Sequence, residues 1–130
     1  MANELLWLDF LALKLIVRHY EQYGVAPVMD ELYDSKGHIG MVNDFLREAN
    51  VPREYVRLEY GVVRSQTTVD AVVRRLRAAG MIAPKIAMTP TELGMMVANE
   101  LPQDWHDWPE SVPVENGTIK WKEGNYVPLH

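Results

Sequence analysis

The sequence contains no cysteine, and this absence excludes disulfide bonds, thiolate zinc sites and cysteine nucleophiles. It also lacks an apolar run long enough for a membrane span, which needs about 20 residues. The strongest candidate, LLWLDFLALKLIV at residues 5–17, is too short and includes Asp9 and Lys14. A secretory signal would begin with basic residues, whereas the first charged residue here is Glu4. We therefore expect a cytoplasmic protein that does not enter a membrane.

Motifs that would indicate catalysis or metal binding are also missing. The four histidines are scattered, and none has the paired spacing of a helical zinc site. The chain has no Ser-His-Asp order, no phosphate-binding glycine loop and no convincing pair of carboxylates. We therefore predict that the protein is not an enzyme and binds no metal ion or cofactor.

The charged residues that are present are unevenly distributed along the 130 residues, whose formal net charge is −5. Residues 51–85 contain seven basic and three acidic residues, whereas the segments on both sides are acidic. For a polyanionic partner, such segregation matters more than the net charge. The alternative explanation is an ordinary solvated helix face.

The N-terminal apolar run predicts a helix over residues 4–23, with Gly24 where a helix stop is expected. The apolar surface of this helix is wider than one core-facing stripe requires. Either the helix lies at the centre of the domain, or one side of it packs on a second copy of the chain. The second alternative predicts a homodimer through residues 4–23.

The remainder of the first 101 residues shows helical spacing interrupted by glycine and proline. MIAPKIAM at residues 81–88 predicts two very short strands. In TPTE, Thr89 is the expected N-cap, Pro90 the first helical residue and Glu92 the partner in a capping box. The expected helices after the first therefore cover residues 27–33, 39–49, 52–60, 65–79 and 89–101.

The composition changes after residue 101, so we predict a domain over residues 1–101 and an acidic arm over residues 102–130. Asn116-Gly117 predicts a hairpin turn in this arm. The tryptophans of the arm either dock on the domain itself or anchor a protein partner of residues 103–130, because Trp is common in binding hot spots. The residues concerned are Trp105, Trp108 and Trp121.

Three segments resemble winged helix-turn-helix regulators. HYEQYGVAPVMDEL (19–32) resembles the start of the LexA-type repressor DNA-binding domain. SQTTVDAVVRRLRAAGMI (65–82) resembles the recognition helix of LexA-type and MarR-type regulators, and MTPTELG (88–94) is similar to the segment that follows a MarR wing. The resemblance implies a mainly α winged helix-turn-helix with a small β wing, an extra helical segment and a C-terminal arm or hairpin.

The interval between Leu32 and Ser65 is longer than the corresponding interval in LexA-type domains. Either residues 34–64 are an inserted helical unit, or the second helix of the motif is 53–61 and not 27–33. The second alternative is favoured, because the distance from residues 53–61 to Thr68 suits a helix-turn-helix.

The resemblance implies that the protein binds double-stranded DNA, with the 65–79 helix in the major groove. Basic residues at its edges would contact phosphates. The predicted DNA-binding residues are Arg64, Ser65, Gln66, Thr67, Thr68, Ala71, Arg74, Arg75 and Lys85. A transcriptional regulator of this size would fit a phage or a mobile element. The alternative function is a winged-helix adaptor or inhibitor that binds a protein through its acidic surfaces and Trp-containing arm.

Overall fold

Helices dominate the computed structural model, which describes residues 4–32, 40–52, 66–84, 86–109, 111–114, 121–122 and 125–126. The helices are α1 (Trp7–Tyr23), α2 (Met29–Leu32), α3 (Met41–Glu48), α4 (Gln66–Ala78) and α5 (Glu92–Glu100), followed by a 3-10 turn at Trp105–Asp107. The strands are β1 (Glu4–Leu6), β2 (Ser111–Pro113), β3 (Trp121–Lys122) and β4 (Asn125–Tyr126). The predicted mainly α class with a small β component is therefore confirmed. None of the helices described is long and apolar enough to cross a membrane.

Helix α1 lies at the centre of the fold and contacts β1 and each of the helices α2 to α5. From Trp7 to Val17 every residue except the half-buried Lys14 is buried within the single chain. This packing accounts for the wide apolar surface, so the central position is the correct alternative for this part of the helix. The left-handed Gly24 ends α1, and its N–H donates to the carbonyl of Tyr20, as predicted.

The first residues of the expected helix are extended, which corrects its predicted start at residue 4. Strand β1 pairs with β2 in antiparallel register, so that Leu5 lies opposite Val112. Both side chains are completely buried. The pairing partner lies more than a hundred residues away in the sequence, and no local pattern in residues 4–6 reveals it.

Trp108 fills a gap beside the start of α1. Its ring lies 5.3 Å from that of Trp7 and 6.2 Å from that of Phe45, and its indole N–H donates to the carbonyl of Pro102 at 2.6 Å. The side chain is only 6% exposed. Of the two roles expected for the tryptophans, Trp108 therefore has the first, since it docks on its own chain. The division at residue 101 stays a statement about composition, because residues beyond it pack on α1 and β1.

A short antiparallel segment, which we call the 81–91 hairpin, connects α4 to α5. Its described residues, 81–84 and 86–91, form one isolated bridge, Ile82 to Pro90, where two very short strands were expected. Pro90 is therefore extended, and α5 begins two residues later than predicted. Thr91, not Thr89, is the N-cap, and its hydroxyl accepts a hydrogen bond from the N–H of Gly94 at 3.0 Å.

Two other predictions meet the limits of the described residues. The β3–β4 pair joins Trp121 to Tyr126, so it is not the hairpin expected around Asn116-Gly117, which lies outside those residues. The helix predicted at 52–60 also lies outside them from residue 53 onward. Of the two alternatives for the second helix of the motif, 27–33 contains α2, and 53–61 lies outside the described residues.

Candidate nucleic-acid interface

Helix α4 has one buried face and one outward face. Val72, Leu76 and the following Ala79 are buried against the core. Asp70, Arg74 and Ala78 are exposed and follow one another at four-residue spacing, which places them in one row on the opposite face. We call this row, together with the half-buried Ala71 beside it, the outward face of α4.

The predicted DNA-binding residues other than Arg75 fall into three groups. Ala71 and Arg74 lie on or beside the outward face, as the sequence indicated. Gln66, Thr67 and Thr68 belong to the first turn of α4. The remaining positions, apart from Arg75, lie outside the described residues: Arg64, Ser65 and Lys85.

Arg75 points away from the outward face and binds Asp9 of α1. Its Nε donates to Oδ2 at 2.7 Å and its Nη2 to Oδ1 at 3.0 Å, and the N–H of Leu6 donates to the same Oδ2 at 2.9 Å. The carboxylate is completely buried. Burial raises the pKa of Asp9, because the loss of hydration outweighs the opposing effects of the Arg75 guanidinium and the Leu6 amide. Arg75 is therefore removed from the DNA-facing set, since its guanidinium is committed to the core.

Asp9 has a structural role that the sequence analysis did not identify. It is the single acid in the run LLWLDFLALKL, and a buried carboxylate requires a partner that supplies charge and hydrogen bonds. Because Arg75 lies 66 positions away in the sequence, no local sequence pattern identifies it as that partner. The ion pair fixes α4 to the start of α1.

Arg77 fixes the 81–91 hairpin against α4. Its Nε donates to the carbonyl of Ala83 and its Nη2 to the carbonyl of Ile86, each at 3.1 Å. The side chain of Ile86 is 93% exposed, and its backbone has a φ of 68°, which β-branched residues rarely adopt. At the other end of the hairpin, the Thr91 hydroxyl donates to the carbonyl of Gly80 at 2.5 Å. The loop is thus held at a defined position beside the outward face.

A groove of about 350 Å³ lies between α4, α2 and this hairpin. Apolar side chains and two arginines share its lining with one acid: Met29, Val73, Ile86, Met88, Arg74, Arg77 and Asp70. Arg74 can reach an anion from the edge of this groove, whereas Arg77 is already engaged with backbone carbonyls. The outward face of α4 therefore presents Arg74 beside Asp70, Ala71 and Ala78, and it lies next to the 81–91 hairpin that Arg77 holds in place.

The other tryptophans of the predicted partner site differ from Trp108 in their surroundings. Trp105 is half-buried, stacks on the His106 ring at 3.7 Å and accepts a hydrogen bond from Trp7 Nε1 at its carbonyl. The Asp104 carboxylate accepts a hydrogen bond from the His106 N–H at 2.9 Å, and this bond lowers the pKa of Asp104. Trp121 belongs to β3. The turn at Trp105–Asp107 is therefore built into the fold through its backbone.

The described ranges contain no group of three or more His, Asp or Glu side chains that could hold a metal ion. Comparison with known proteins finds no matching protein family, no matching curated protein and no matching solved structure.

Proposed function

We propose that this protein is a small regulator that binds double-stranded DNA, with the outward face of α4 in the major groove and the 81–91 hairpin beside it. The observation that supports the proposal is the exposed Arg74 in a row with Asp70 and Ala78, next to a loop that Arg77 holds in place. An α-helix fits the width of the major groove, and arginine binds guanine edges or phosphates.

The order of elements supports the same function. A surface helix is followed by a short antiparallel hairpin and then by a capped helix, as in winged helix-turn-helix proteins. The basic segment at residues 51–85 contains α4, although the whole chain is acidic. Local positive charge of this kind attracts a polyanion, while the acidic remainder limits binding elsewhere. Of the arginines that α4 contributes, Arg74 faces outward, whereas Arg75 and Arg77 bind groups within the chain.

Fluorescence anisotropy with a labelled random-sequence duplex across a salt series tests this proposal. We expect wild type to bind at low salt and Arg74→Ala to bind more weakly, with the slope of log K against log salt reduced by about 0.9 for one lost phosphate contact. Arg47→Ala is the matched control, because it removes the same charge from an exposed position on α3.

Two results would contradict DNA binding through α4. One is the absence of any binding by wild type at low salt. The other is an equal loss of affinity in Arg74→Ala and Arg47→Ala, which would show a response to net charge and not to a particular face.

A second candidate function is a protein-binding adaptor that uses the same fold. The fully exposed Ile86 and the apolar floor of the groove, formed by Met29 and Met88, favour it. The burial of Trp108 removes the strongest anchor from the arm-based version of this function. If wild type fails to bind duplex DNA, a protein partner that immobilised wild type captures should not be captured by Ile86→Ser. The unfolding midpoint of this variant should equal that of wild type.

A further inference from the structure

Exposed apolar side chains cluster where α1 ends, on a surface that the DNA proposal does not use. Tyr23 is 63%, Val25 61% and Val28 60% exposed. They border a groove of about 820 Å³ that also contains the half-buried Ala26 and Met41. We call Tyr23, Val25 and Val28 the 23–28 patch. An exposed apolar cluster of this kind marks a surface that is covered in use.

The backbone under the patch is held by specific hydrogen bonds. The His19 ring bonds the carbonyl of Val25 through Nδ1 at 2.8 Å and packs on the Tyr23 ring at 4.7 Å. The N–H of Val28 donates to the Glu31 carboxylate at 2.9 Å. The backbone that carries the three apolar side chains is therefore held in place, which lowers the entropy lost when a partner covers them.

The charges at the border of the patch indicate what covers it. Arg18 and Glu31 line the same groove, and both side chains are exposed. Among the described residues that line the groove, Arg18 and Glu31 carry opposite charges, and His19 Nε2 lies 3.9 Å from the Glu31 carboxylate within the chain. Opposite charges on either side of an apolar centre are complementary to themselves across a two-fold axis, since each charge then faces its opposite in the other copy. A strongly basic or strongly acidic partner would leave one of the two charges opposite a like charge.

We propose that a second copy of the chain binds the 23–28 patch in a two-fold dimer, with Arg18 of each copy opposite Glu31 of the other. The interface differs from the dimer expected over residues 4–23, because Trp7 to Val17, apart from the half-buried Lys14, is buried within one chain. It uses the last turns of α1, the loop that follows and Glu31 of α2. The proposal does not depend on DNA binding.

Reciprocal charge reversal tests the dimer by sedimentation equilibrium. Wild type should show a concentration-dependent monomer–dimer equilibrium. Arg18→Glu alone places two carboxylates opposite each other, and Glu31→Arg alone places two guanidinium groups opposite each other, so each variant should dimerise roughly tenfold more weakly. An equimolar mixture of the two variants forms a heterodimer in which each contact again joins a carboxylate to a guanidinium group, so mixing should restore the dimer. The double variant Arg18→Glu with Glu31→Arg restores opposite charges at both contacts and should dimerise as well as wild type.

Controls separate this interface from a general effect of charge. Arg47→Glu and Glu92→Arg make the same reversals at exposed positions outside the patch and should leave the equilibrium unchanged. Because Glu31→Arg also removes the bond from Val28, its unfolding midpoint is measured in parallel. Val25→Ser combined with Val28→Ser removes apolar surface without changing charge and should weaken the dimer while the fold is retained.

Several results would overturn the proposal. Wild type that stays monomeric at every concentration tested would show that no second copy covers the patch. A double charge-reversal variant that folds but dimerises no better than either single variant would place Arg18 and Glu31 outside a shared contact. A serine double variant with an unchanged dimer constant would remove the patch from the interface.

Discussion

Arg75→Ala is expected to destabilise the fold far more than Arg74→Ala, although the two residues are neighbours in α4. Two N–H groups of Arg75 bind the completely buried Asp9 carboxylate. Truncation removes both of these bonds and leaves the carboxylate its bond from the Leu6 amide. Removing one partner of a buried ion pair costs about 3–5 kcal/mol. Because the Arg75 side chain is 31% exposed and water can enter, we expect about 3 kcal/mol.

Urea unfolding monitored by circular dichroism and tryptophan fluorescence measures this loss. A domain of this size is stable by about 5–15 kcal/mol, so the expected change is a large fraction of the total. Arg74→Ala removes the same side chain from an exposed position and should change stability by no more than about 0.5 kcal/mol. Replacing both members of the pair, as in Asp9→Leu with Arg75→Met, should recover much of the loss. If Arg75→Ala costs no more than Arg74→Ala, the ion pair is not what joins α4 to α1.

Three further predictions concern the close approach of Gly94 to Met81, the docking of Trp108 and the protonation of Asp104. Gly94→Ala should cost about 1–3 kcal/mol in urea unfolding, since a Cβ there would overlap the backbone carbonyl of Met81 and the backbone must shift; unchanged stability would contradict this close approach. Trp108→Ala should cost about 3–5 kcal/mol by the same assay, because the ring is buried and its N–H is bonded; a cost under about 1 kcal/mol would show that the ring does not dock. The lowered pKa of Asp104 means that its stabilising effect is present above the ordinary carboxyl range and is lost as acidification protonates it. Asp104→Asn should therefore remove part of the decrease in unfolding midpoint seen below about pH 4, and an identical acid profile in both proteins would exclude this.

Features that depend on neighbours in the sequence were predictable. The helical spacing of Val72, Val73 and Leu76 gave the buried face of α4, and Gly24 and Gly80 were expected at helix ends, where both have positive φ. These signals arise from local sterics and from the helical repeat, so they need no knowledge of distant contacts.

Features that depend on distant contacts were not predictable in the same way. Residues 4–6 form a strand because residues 111–113 pair with them, although their own composition suits a helix. Thr89 and Thr91 are both suitable N-caps, and the bridge between Ile82 and Pro90 selects the second. In both cases tertiary pairing decides between local conformations of similar energy.

The candidate site was predicted in part. Periodicity placed Arg74 on the outward face, and the structure has it exposed there. The same reasoning grouped Arg75 with it, although Arg75 lies at the border between the two faces of α4. Asp9 provides the attraction that turns the Arg75 side chain inward. The lone acid in the first apolar run was the one signal that a cation from elsewhere would be needed.

The most direct test of the account is an NMR titration of ¹⁵N-labelled protein with a short duplex at low salt. DNA binding by the outward face of α4 predicts chemical-shift changes concentrated around Asp70, Arg74 and Ala78 and in the 81–91 hairpin, with much smaller changes in Arg74→Ala. Changes centred on the 23–28 patch, or a spectrum that the duplex leaves unaltered, would contradict DNA binding by the outward face of α4.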